Sequence, residues 1–144
     1  MTATVMSKNS WSELLAGMLR VHRRDSRHAE LIAALQTARL APACIVKGIE
    51  HQNAESIVRA GLPTVQYRRR TLHRHLDEHL FVDTTAGAGV RVLACWDSQA
   101  NRMRMHVAEV GAPGLWDRIV IHFTEWEKAG RPVPGPTRYS GTRG

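Results

Sequence analysis

The sequence predicts an α+β fold in which N-terminal helices pack on one face of a small antiparallel sheet. Three observations lead there: apolar residues at helical spacing up to Ala60, a switch to strict alternation after Leu80, and turn-forming residues between the alternating runs.

Ser10 followed three places later by Glu13 is a capping-box pattern, and Trp11, Leu14, Leu15, Met18 and Val21 then share one helical face, which predicts a helix over residues 11–24. Asp25 and Ser26 separate it from a second helix whose stripe is Leu31, Ala34, Leu35 and Ala38. That helix must end before Pro42, so the two form a helical hairpin. A third helix, over residues 53–60, is closed by Gly61 in a left-handed cap and by Pro63. Beyond it, Val90, Val92, Ala94 and Trp96 alternate with Arg91, Leu93 and Cys95. After a polar turn at 97–101, Met103, Met105 and Val107 alternate with Arg102, Arg104 and His106, so these two runs form a hairpin. Gly111, Pro113 and Gly114 precede a further strand over residues 118–123, with Ile119, Ile121 and Phe123 on one side. Residues 131–144 hold three Pro, three Gly and three Arg with Val133 as the one aliphatic residue, and are expected to be a flexible basic tail on a single domain spanning 1–130.

At 144 residues the chain has the size of one domain, and a composition of 43% hydrophobic and 23% charged residues excludes a disordered or fibrous chain. No apolar run approaches the ~20 residues needed to span a bilayer, and residues 1–10 lack the apolar stretch of a secretory signal. Cys44 and Cys95 form no paired motif, sit among apolar neighbours and are expected to pack as small hydrophobes, which suits a reducing cytoplasm. The net charge is +7, and 17 of the 20 basic residues are arginine. An anionic partner is favoured. Guanidinium groups fork onto phosphate and stack on bases, so the arginine bias favours nucleic acid among such partners. The charge is also localised: residues 67–75 carry four Arg and no acid, whereas 76–130 hold eight acids against five bases.

Candidate chemistry begins with the run containing His73, His75, Asp77, Glu78 and His79, all residue types that ligate first-row metals. It resembles the HxHxDH motif of metallo-β-lactamase-like hydrolases but departs from it because Glu78 displaces the last histidine by one place. On a helix, His75 and His79 would share a face at i, i+4. The run supports a small nuclease or metal-dependent hydrolase as an alternative function, although solvated histidines on a helix surface are the expected arrangement. Residues 83–89 place Gly87 and Gly89 close together but lack the third glycine and the helix of a dinucleotide loop, so a plain turn is expected there. Neither a metal nor a cofactor is expected.

The most interpretable constellation is the sheet. If Val90, Val92, Met103, Met105, Val107, Ile119, Ile121 and Phe123 face the helices, alternation puts Arg91, Arg102, Arg104, His106, Arg118 and His122 on the opposite face. A loop at residues 67–75, with Arg68, Arg69, Arg70 and Arg74, would extend that platform. Arginines on such a surface can follow a phosphate backbone while nearby rings stack on bases. The expected function is therefore non-enzymatic binding of nucleic acid or a nucleoprotein complex. A further alternative is a protein-docking inhibitor or adaptor using Trp11, Leu14, Leu15, Met18 and Val21. Of the four tryptophans, Trp116, in a turn context, is the one expected to be exposed.

Overall fold

The computed structural model describes the backbone of residues 8–132 and the side chains of residues 12–16, 18 and 26–132. A long helix α1 (Lys8–Thr37) leads into a short edge strand β1 (Ala41–Ala43), a 3-10 turn (Lys47–Glu50) and helix α2 (Ala54–Gly61). Four strands follow, β2 (Gln66–His73), β3 (Leu76–Asp83), β4 (Ala88–Asp97) and β5 (Arg102–Gly111), and helix α3 (Leu115–Lys128) closes the described chain. The α+β class is as expected. Among the described residues no helix is long and apolar enough to cross a membrane.

The strands β2 to β5 form an antiparallel meander, and β1 adds to the far side of β5, giving the order β1-β5-β4-β3-β2. Local chemistry makes the turns. Between β2 and β3, His75 takes a left-handed backbone at φ 66°, and between β4 and β5, Asn101 does the same at φ 51°. The Asp97 carboxylate accepts the backbone N–H groups of Gln99 and Ala100, each at 3.1 Å, which folds the second turn onto its own strand.

Alternation divides the sheet into two faces. The first carries Phe81, Val90, Val92, Ala94, Met105 and Val107, buried against Ile49 of the 3-10 turn, Ile57 and Val58 of α2, and Leu115, Ile119, Phe123 and Trp126 of α3. The second carries Leu80, Val82 and Val110, which meet Leu31, Ile32 and Leu35 of α1. Each fully buried aliphatic side chain contributes about 2 kcal/mol. β3 is therefore covered on both sides and is buried from Glu78 through Asp83.

Several local expectations are corrected. The predicted helical hairpin is one continuous 30-residue helix, because Asp25 and Ser26 weaken a helix without the steric break that Pro imposes. The predicted strand at 118–123 is the middle of α3. Ile119 and Phe123 are buried four residues apart, whereas Ile121 between them is 56% exposed, the signature of a helix turn. The predicted loop at 67–75 is the edge strand β2 and its turn. Gly61 is not left-handed. It is the last residue of α2, and its lack of a side chain lets the His122 ring of α3 lie against the backbone, where a Cβ would fall inside the imidazole. Cys44 is exposed and Cys95 half-buried. Of the predicted tail, Arg131 and Pro132 are tied back to α3: Arg131 pairs with Glu127, and the Pro132 carbonyl accepts from Trp126 Nε1 at 2.8 Å. Residues 133–144 lie outside the described residues.

Candidate nucleic-acid interface

Among the described residues, the second sheet face is only partly roofed. α1 packs over its end near Gly89, Val82 and Val110, and three cross-strand rows continue beyond that contact. Register puts Arg68, Leu80, Arg91 and Ala108 in one row, and Arg70, Glu78, Leu93 and His106 in the next. Leu76, Cys95 and Arg104 form the third, with Arg102 beside Asp97 at the end. Arg68, Arg70, Arg102 and Arg104 are exposed, and Arg91 and His106 are half-buried. Five arginines and one histidine thus share a face with two carboxylates, Glu78 and Asp97.

Those carboxylates are built into the arginine array. Glu78 is fully buried; its Oε2 accepts from Arg91 Nε at 2.8 Å, and Arg70 Nη2 lies 3.0 Å from Oε1. The Arg70 contact lacks hydrogen-bond alignment, so among the described residues Oε1 has no hydrogen-bond partner. Arg91 is held through Nε, and its side chain is 14% exposed. Asp97 lies 3.2 Å from Arg104. The backbone N–H of Ala100, with help from the Arg104 charge and against slight desolvation, holds the Asp97 carboxyl below the usual range, so it remains an anion.

At the β5 edge the basic face turns into a groove of about 1020 Å³. β1 pairs only with Met105, His106 and Val107, so among the described residues the edge of β5 at residues 102–104 has no strand beside it. The groove runs along that edge, with Ile45, Trp96, Met103 and Trp126 as apolar walls and Lys47, Arg102, Arg104 and Arg131 among its charged groups. Trp96 is 40% exposed, whereas Trp116 is half-buried; the exposed ring is thus not the one the sequence suggested.

A second polar cluster sits on the first face. His79, fully buried, places Nε2 at 2.6 Å from Glu50 Oε1 and Nδ1 at 2.7 Å from the Tyr67 hydroxyl. An ionised Glu50 can only accept, so Nε2–H donates to it, and in the neutral ring Nδ1 then accepts from the tyrosine O–H. Arg69 Nη2 donates both to Glu50 Oε2 at 2.8 Å and to Asp77 Oδ2 at 2.7 Å, and Thr71 Oγ1 donates to Asp77 Oδ1 at 2.9 Å. Burial pushes the Tyr67 hydroxyl well above its ordinary range. Burial also raises Asp77, but hydrogen bonds, with Arg69 first, outweigh it and hold that carboxyl low.

Glu50, Asp77 and His79 could together present three metal-ligand atoms. Arg69 already places its charge between the two carboxylates, and both His79 nitrogens are engaged. A metal here would have to displace Arg69 and break one histidine hydrogen bond. The arrangement ties the 3-10 turn to β2 and β3, and so fixes the wall of the groove that Lys47 and Glu50 supply.

The residues singled out from sequence separate accordingly. Arg68, Arg70, Arg91, Arg102, Arg104 and His106 come together on one face. Arg74 is at the β2–β3 turn, and Arg69 is on the opposite face in the Glu50 cluster. Arg118 is on α3, 3.6 Å from Asp83, and His122 donates Nε2–H to the Ile57 carbonyl at 2.5 Å; both leave the platform because their segment is helical. In the histidine run, His73 and His75 are exposed at the turn, Glu78 lies on one face, and Asp77 and His79 on the other, because the segment is strand, turn and strand. Leu14, Leu15 and Met18 are 45%, 55% and 60% exposed, while the side chains of Trp11 and Val21 lie outside the described residues. Lys47 and Trp96, which line the groove, are not among the residues singled out from sequence; the signal for Trp96 is its position beside the polar turn at 97–101. No protein-family model, curated protein or solved structure matches this chain.

Proposed function

We propose that the protein binds nucleic acid, through the sheet face that carries Arg68, Arg70, Arg91, Arg102, Arg104 and His106. The observation that carries this reading is the charge of the partly unroofed face: five arginines against two carboxylates leave a surplus of three positive charges, before His106, on neighbouring cross-strand positions. Neighbouring strands lie about 4.8 Å apart, so guanidinium groups on adjacent strands reach successive phosphates of a backbone laid across them. Binding rather than catalysis is favoured because the titratable groups that do converge, Glu50, His79, Tyr67 and Asp77, satisfy one another and are withdrawn from the platform.

The test is the double variant Arg102→Ala with Arg104→Ala. Both side chains are exposed, so the stability cost should stay within about 0.5 kcal/mol. Loss of two phosphate contacts should weaken binding and flatten the log K against log salt slope by about 2 on a duplex. An unchanged affinity and slope would leave the face a merely solvated one.

A second reading draws on the exposure of Leu14, Leu15 and Met18 along one side of α1, a surface suited to a protein partner. Binding through that side would depend on these three residues and respond weakly to salt.

A further inference from the structure

We propose that the groove beside Trp96 receives an unpaired base, which makes single-stranded nucleic acid the preferred ligand of the basic face. This rests on the nucleic-acid reading above and names its substrate class.

Three features support it. First, Arg102, Arg104 and His106 belong both to the basic sheet face and to the groove lining, so a backbone following the face arrives at the groove. Second, Trp96 is paired in register with Met103 on the first sheet face and is 40% exposed, so the groove, which Arg102 and Arg104 also line, carries an aromatic surface around the sheet end from the cationic track. Third, about 1020 Å³ is ample for a base stacked on that ring, with Ile45 and Trp126 on the other walls. Bases in a duplex are stacked inside it and cannot enter such a groove; a flexible strand with its bases splayed can.

Charge also selects among occupants. The described chain leaves from the groove wall, where Pro132 accepts from Trp126, and residues 133–144 carry Arg138 and Arg143 and no acid. That segment has the same sign as Lys47, Arg102 and Arg104, which outnumber the Glu50 carboxylate in the lining once Glu127 is paired with Arg131, and it is disfavoured as the occupant. An extended peptide pairing with the β5 edge at residues 102–104 is the competing ligand, and it is distinguished by the same experiment.

The experiment compares wild type, Trp96→Ala, Trp96→Phe and Ile45→Asp for binding to a labelled oligo(dT) of about 12 nucleotides and to a duplex of equal length. Folding is checked by thermal unfolding. Wild type should prefer the single strand. Trp96→Ala should lose about 10-fold in single-strand affinity with duplex affinity and salt slope unchanged, because stacking is worth roughly that much per base. Trp96→Phe should restore most of it. Ile45→Asp, which alters another lining residue of the groove at a 43% exposed position, should also weaken the single strand and spare the duplex. If wild type binds both ligands equally and Trp96→Ala changes neither, the groove proposal falls and the sheet-face reading stands. If wild type binds neither, both fall. If poly-glutamate binds in a Trp96-dependent manner and the oligonucleotide does not, the groove belongs to a peptide.

Discussion

Glu78 offers the sharpest test of how the arginine face is held together. It is fully buried between Arg91, whose side chain is 14% exposed, and Arg70, whose side chain is 53% exposed. Removing one member of a buried ion pair costs about 3–5 kcal/mol, mostly because the other is left charged and poorly solvated. Arg70 can turn into water when its partner disappears, whereas Arg91 has little room to do so. Glu78→Ala should therefore lie near the lower end, about 3 kcal/mol. Glu78→Gln retains an oxygen for Arg91 Nε and loses only the charge, at about 1–2 kcal/mol. With a urea dependence of roughly 2 kcal/mol per molar, the alanine variant should lower the midpoint by about 1.5 M without changing the slope. Urea titration followed by far-ultraviolet circular dichroism measures both. Combining Glu78→Leu with Arg91→Met removes both charges and should recover much of the loss. An alanine variant within about 0.5 kcal/mol of wild type would refute the reasoning, since Arg91 would then not depend on Glu78 for its position.

Two further outcomes follow from packing and from charge. Gly61→Ala should cost about 1–3 kcal/mol by forcing apart α2 and α3, and His122→Ala in the same chain should relieve part of that loss; additive costs in chemical denaturation would show that the ring is not the obstacle. Because hydrogen bonds hold the folded Asp77 carboxyl below its unfolded value, its contribution is fully present above about pH 4 and fades as the pH falls through the lower folded value. Asp77→Asn should therefore flatten the loss of stability below about pH 4, and an acid-unfolding profile parallel to that of wild type would contradict this.

The legibility of the elements follows from how each is buried. β4 and β5 were readable because each has one side in the main core and the other carrying Arg91, Arg102, Arg104 and His106, so hydropathy alternates with the pleat. β2 was not, since Tyr67 is its one half-buried residue and the others are exposed; an edge strand with polar residues on both faces leaves no period to detect. α3 was misread because Ile119, Ile121 and Phe123 alternate over a short span. The helical series Leu115, Ile119, Phe123 and Trp126 fits the same stretch, and periodicity over so few residues cannot choose between them.

For the candidate site, the sequence by itself determined the arginine excess, the pairing of Arg102, Arg104 and His106 on one side of a strand, and their separation from Met103, Met105 and Val107. These depend only on composition and on the two-residue period of a strand. Tertiary structure decided which other residues join them. Arg68 and Arg70 enter the face through the β2–β3 register, and Arg118 and His122 leave it because packing made their segment a helix. The burial of Glu78, the Glu50–His79–Tyr67 contacts and the groove at Trp96 each bring together residues from separate elements. Nothing in local spacing encodes these contacts; they exist only once the sheet has formed and hydrophobic burial has seated the 3-10 turn and α3 against it.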